Sequence, residues 1–177
     1  DKTGTTPLAK AAFDGRIATV KALLSKGANP NAKSSNGITS LLWAVIQKHD
    51  AVVDALLEGG ADVNAQNKDG ATPLMGAVSY GNAELVKKLL DKGANINAKG
   101  ENGITAMMLA AKAGRGNIVE ILLERNADLM AKDAGGKTAA DYSGHDNIRK
   151  IISLHFAAQQ GDATTSRSYW LKEWTSI

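Results

Sequence analysis

Three histidines, a Ser143-Gly144-His145-Asp146 run and a Gly114-Arg115-Gly116 turn are the residues whose types could carry chemistry in this chain. Histidine titrates near neutrality and ligates metals, so His49, His145 and His155 are the first candidates for acid–base work or metal binding. They stand at three different places in the chain. None has a second His or a carboxylate at ligand spacing on one helix face, apart from Asp146, which adjoins His145 and points elsewhere. All three read as structural or solvent-facing. Ser143, His145 and Asp146 have the composition of a hydrolase triad, but the members of a triad converge from separate segments, which sequence neighbours do not. Gly114-Arg115-Gly116 looks like part of a phosphate loop whose Lys-Ser/Thr is missing. Asp62, Asp128, Asn31 and Asn64 are oxygen donors, yet they recur as turn residues rather than gathering as calcium ligands. There is no cysteine, which excludes disulfides, thiol catalysis and cysteine zinc sites. The expectation is no metal, no cofactor and no enzyme activity, because catalysis needs a convergent set of titratable groups.

The elements that would have to position such groups form a repeat. Gly4, Gly37, Gly70, Gly103 and Gly136 are spaced by 33 residues, and so are Thr6, Thr39, Thr72, Thr105 and Thr138. Gly27-Ala28 returns as Gly60-Ala61 and Gly93-Ala94, then as Asn126-Ala127. Asn31-Ala32, Asn64-Ala65 and Asn97-Ala98 keep the same count, with Met130-Ala131 as a degenerate fourth copy. Within a unit, a Gly-containing turn (Lys68-Asp69-Gly70) leads to a Thr that can cap a helix. Pro73 follows at the first helical position, where its missing N–H costs nothing. The spacing predicts a short helix to about Tyr80, stopped by Gly81 in a left-handed conformation. A second helix carries Leu85, Val86, Leu89 and Leu90 on one face, and Gly93 ends it. One such unit cannot bury its apolar face alone, whereas stacked units can.

On these residues the chain resembles the ankyrin-repeat family. Thr6-Pro7-Leu8, Thr72-Pro73-Leu74, Ala11-Ala12, Ala110-Ala111 and the Leu-Leu pairs at 23-24, 56-57, 89-90 and 122-123 carry the likeness, over residues 1 to about 153. The resemblance implies an all-α repeat solenoid of antiparallel helix pairs with β-hairpin-like fingers. The family's usual His after Thr-Pro-Leu is Ala9, Leu42, Met75 and Met108 here, so its hydrogen bond is expected to be absent in every copy. Pro gives way to Ser40 and Ala106. Gly114 falls at the helix-stop position shared with Gly15 and Gly81, which makes it structural.

The expected division is one domain over 1–160, with repeats near 1–33, 34–66, 67–99 and 100–132 and a shortened, polar cap over 133–160. Residues 161–177 form a linker and an amphipathic tail. In that tail Tyr169, Trp170 and Trp174 either seal the end of the solenoid or reach a partner.

Framework positions build the stack, so partner contact is sought at positions that vary between copies. The set with most to offer is Phe13, Asp14, Ile38, Ile46, Gln47, Lys68, Asp69, Tyr80, Glu101, Asn102, Ile104 and Lys112, together with the three tail aromatics. By resemblance to ankyrins these line the finger tips and the concave inner-helix face. An apolar strip with a charged rim is the look of a protein-binding surface. Trp43, Met75, Met107 and Met108 read as packing residues.

Composition agrees with a binding module. Hydrophobic residues make up 44% and charged residues 22%, with no apolar run near membrane-spanning length. Net charge is +3 and bases alternate with acids, so neither nucleic-acid binding nor membrane insertion is expected. The expected partner is another folded protein, and the free chain is expected to be monomeric. No catalytic or signalling domain accompanies the repeats, which favours an inhibitor or immunity-type protein masking a partner enzyme over a cytoplasmic adaptor or a host-directed effector. The Lys- and Ala-rich repeats read as bacterial. Absence of Cys and of an initial Met leans towards export to the periplasm, with the cytoplasm as the alternative.

Overall fold

The computed structural model describes residues 4–159. Five helix pairs follow one another: α1 (Pro7–Phe13) with α2 (Ile17–Ser25), α3 (Ser40–Ile46) with α4 (Asp50–Glu58), α5 (Pro73–Tyr80) with α6 (Ala83–Asp91), α7 (Ala106–Lys112) with α8 (Gly116–Glu124), and α9 (Ala139–Tyr142) with α10 (Asp146–Gln159). One turn of 3-10 helix, Glu101–Gly103, precedes α7.

The first helices start where the sequence places them. The hydroxyls of Thr6, Thr39, Thr72 and Thr105 accept from the amides of Ala9, Leu42, Met75 and Met108 at 3.1–3.3 Å. Each satisfies one of the orphan donors of a helix N-terminus, a contribution of about 1 kcal/mol. In the fifth unit the roles reverse, and Thr138 donates both its amide and its hydroxyl to the Asp141 carboxylate. One expectation is corrected here. The bond normally made by the family's His is not lost in every copy, because the Met108 sulfur accepts the Thr105 amide at 3.5 Å. A thioether is a weak acceptor, but it lies where the imidazole would. Ser40, which stands in the place of Pro7 and Pro73, is fully buried and its hydroxyl has no hydrogen-bond partner.

The helix stops follow the same logic. Gly15, Gly81 and Gly114 end α1, α5 and α7 at φ near 70°. In the second unit Lys48 occupies that position at φ 60°, a conformation that costs a side-chain-bearing residue roughly 1–2 kcal/mol.

Stacking closes the interior. Val20, Val52, Val53, Leu56, Val86, Leu89, Val119 and Leu122 are buried along the second helices, and they meet Leu8, Leu41, Leu74 and Met107 from the first helices. Each fully buried side chain of this size stabilises by about 1.5–3 kcal/mol, and most of that gain needs a neighbouring unit. Met75, Met107 and Met108 are core residues, as expected.

Neighbouring first helices touch more extensively than neighbouring second helices, least of all α4 with α6. Closer approach along one row bends the stack towards it, so the first helices form the concave side. The fingers are simpler than the hairpins the resemblance implied. No strand is present among the described residues. Each finger closes over one short loop, as in Asn67 N–H to Ala71 O at 3.1 Å, and the chain then diverges before a ladder can form. In the fifth unit α9 has a single turn of 4 residues, while α10 runs for 14.

Candidate binding face

The concave side carries a groove of about 460 Å³ between α3, α5, α7 and the third and fourth fingers. Six residues singled out from sequence meet there: Ile46, Asp69, Tyr80, Glu101, Asn102 and Ile104. Tyr80 is 39% exposed, and the Lys48 ammonium lies 5.1 Å from its ring centre. Ile46 and Ile104 are both half-buried and line the groove, and Ile104 also packs against the core.

The groove owes its depth to Gly76. Residues Lys10, Trp43, Gly76 and Leu109 occupy the same place in successive first helices, and only the third unit has no side chain there. A Cβ at Gly76 would lie 2.9 Å from Val45 Cγ1, so glycine also lets α5 lie close against α3. The sequence reading missed Gly76, along with Leu42, Asn67, Met75 and Leu109 as lining residues. The signal was available in the 33-residue comparison of position 76 with its equivalents.

The remaining candidates lie elsewhere. Phe13 is 37% exposed and packs edge-on against Trp43, with ring centres 5.1 Å apart. Asp14 is held by Lys10 at 2.9 Å and Arg16 at 3.6 Å, which ties it to its own helix. Ile38 is half-buried and its amide donates to Ser34 Oγ. Gln47 is half-buried, and its amide closes α3. Lys68 is exposed at a finger tip, where its amide donates to Asn36 O at 3.0 Å. Lys112 is exposed at the end of α7 and does not line the groove. Tyr169, Trp170 and Trp174 lie outside the described residues, as does the whole of the expected 161–177 tail.

The groups that could have carried chemistry have structural work. His49 donates from Nε2 to the Phe13 carbonyl at 3.1 Å, and Arg115, at the same repeat position, donates to the Ser79 carbonyl at 2.7 Å. Both close the exposed C-terminus of the preceding unit's first helix, whose last carbonyls lack intrahelical donors. His145 packs against Gly114, where a Cβ would fall 2.5 Å from its Nε2. Ser143 Oγ bonds the His145 backbone rather than its ring. Asn31, Asn64 and Asn97 stitch successive units through their side-chain amides. Among the described residues no group of three or more His, Asp or Glu could hold a metal ion. None of their helices is long and apolar enough to cross a membrane.

The family model for ankyrin repeats (3 copies) matches residues 1–67 and 41–133. The chain belongs to the ankyrin-repeat family. No curated protein matches it. Ankyrin repeats are generally protein–protein interaction modules on a non-enzymatic scaffold, and in this ankyrin chain six of the residues that vary between copies line one groove.

One finger of the ankyrin array has a perturbed acid. Asp133 accepts from Tyr142 Oη at 2.6 Å and from the amides of Gly135 and Lys137 at 2.9 and 2.8 Å. The Tyr142 hydrogen bond first, then the amide of Lys137, hold its carboxyl below the usual carboxylate value, and the same bond raises the Tyr142 phenol.

Proposed function

We propose that the chain clasps a folded partner protein with the concave groove and the third and fourth fingers, and that the partner is an enzyme whose active site is covered as a result. The observation that carries the reading is the convergence of Ile46, Tyr80 and Ile104, from three different units, on one groove that the core leaves unfilled. Apolar side chains gathered in a concavity and rimmed by polar finger tips are what an interface centre requires. A curved face suits a protruding part of a partner, and straddling such a part excludes substrate from it.

The test is a tagged full chain beside its Ile46→Ala/Tyr80→Ala variant, used to capture partners from the source cells, with an activity assay on whatever enzyme is recovered. The expected outcome is capture by the wild type, loss of at least about tenfold in affinity for the variant, since two interface anchors together exceed 1.4 kcal/mol, and a melting curve nearly unchanged. Intact capture by the variant would move the binding face elsewhere. Full activity of the bound enzyme would remove the inhibitory role while leaving the binding role.

A further inference from the structure

Charge is distributed unevenly between the two faces. On the convex side, acids of one unit pair with bases of the next: Asp54 with Lys88 at 2.5 Å and Asp91 with Arg125 at 2.7 Å. The groove does the opposite. Asp69 and Glu101 line it, no Lys, Arg or His does, and neither acid makes an ion pair with a described residue. The Asp69 carboxylate meets only the Asn67 amide group, at 3.3 Å. This local excess of acid sits in a chain of net charge +3. Lys68 stands beside Asp69 in sequence, but it lines nothing here, and Lys48 is placed over the Tyr80 ring.

The backbone at this place is also open. The third finger is joined to the second by Lys68 N–H to Asn36 O at 3.0 Å, and the fifth to the fourth by Ala134 N–H to Asn102 O at 2.7 Å. Among the described residues no main-chain bond joins the third finger to the fourth. That seam carries both unpaired acids, and it is bridged instead by the Gln66 side chain, whose amide group donates to Lys99 O at 3.2 Å.

We infer that the groove receives an extended segment of a partner protein in which a bulky apolar side chain is flanked by Arg or Lys. This rests on the reading of the concave face as the binding face and names the partner chemistry that face selects. The apolar side chain enters the space over Gly76 between Ile46, Ile104 and Leu109. The flanking cations meet Asp69 and Glu101, whose charges have no other use in the fold. The same carboxylates repel a phosphate backbone, so a nucleic acid is the wrong occupant.

Two short fluorescein-labelled peptides test this, one with Arg-Leu-Phe-Arg at its centre and one with Glu-Leu-Phe-Glu, titrated against the full chain at low and high salt. The Arg peptide is expected to bind more tightly by on the order of three- to tenfold, the size of two solvent-screened ion pairs, with the gap closing as salt rises. Both acids are exposed, so the Asp69→Lys/Glu101→Lys variant is expected to keep its melting curve and to prefer the Glu peptide. Equal binding of the two peptides, binding of neither, or an unaltered preference in the variant would each overturn the inference. Failure here is separable from failure of the broader reading. A partner whose capture is lost by Ile46→Ala/Tyr80→Ala but kept by Asp69→Lys/Glu101→Lys retains the face and rejects the basic segment.

Discussion

The base and the tip of each finger lie a few residues apart and are built on opposite plans. At the base one device is repeated. Asn31 donates to Gly60 O and accepts from the Asp62 amide, Asn64 does the same with Gly93 O and the Asn95 amide, and Asn97 accepts from the Asp128 amide. At the tip the equivalent position changes in every copy. Ser34 braces its loop with a hydroxyl, Asn67 with an amide oxygen that accepts from Asp69 and Ala71, and Asp133 with a carboxylate. Gly100 has no side chain and leaves its loop to a single 3-10 turn with Asn102 at φ 54°. The uniform part assembles units, and the varied part is free to meet something outside the molecule. The finger residues of the groove come from two of these tips, those of Asn67 and Gly100.

Changing the base is expected to have the largest effect on stability and none on recognition. Asn64→Ala removes two inter-unit bonds, at 3.0 and 2.6 Å. It should cost about 1–2 kcal/mol in urea unfolding, with partner affinity unchanged. A fall in affinity of equal size would erase the distinction between base and tip. Asn67→Ala should cost less, about 1 kcal/mol for two exposed bonds, yet it should weaken partner binding, because the brace sets the position of Asp69. Gly100→Asn would give the fourth tip the brace of the third. Its Cβ would lie 3.1 Å from the Met75 sulfur, which must shift slightly, and 3.5 Å from Ile104 O, so a gain of about 0.5 kcal/mol is expected in thermal unfolding.

The smallest effect is one of pH. Asp133 is depressed in the folded chain, so its contribution is present above the ordinary carboxylate value of 3.8 and is lost as pH falls through the lower folded value. Tyr142 is raised, so its contribution holds below 10.0 and is lost as pH rises beyond it. Amide protection factors in the fifth unit should therefore fall in acid before those of the other units do. Asp133→Asn, which can brace as Asn67 does, should weaken that dependence and leave the part due to Asp141, whose carboxyl is also held down by the Thr138 amide and hydroxyl.

The framework was legible in the sequence because its causes are local. A Thr hydroxyl caps a helix, a proline starts one and a left-handed residue stops it, and the 33-residue count repeats each cause. Stacking of Val20, Val53, Val86 and Val119 followed from the same count. The groove was only half legible. Ile46, Tyr80, Glu101 and Ile104 stand out as residues that vary, but a missing side chain at Gly76 makes space that no residue list announces. Asp14 shows a related limit. Its partners, Lys10 and Arg16, are near in sequence, and only geometry shows that they consume its charge. Met108 shows the limit of reading by residue type, since a sulfur took up a bond assigned to nitrogen.

Met130 breaks the asparagine series. It stands 54% exposed where Asn31, Asn64 and Asn97 reach across to the following unit, and it offers that unit no such bond. In an array held by nearest neighbours, the weakest junction decides where failure begins. A protease, or a steady pull on the chain, should therefore peel away the terminal helices first and leave the four units that carry the groove standing.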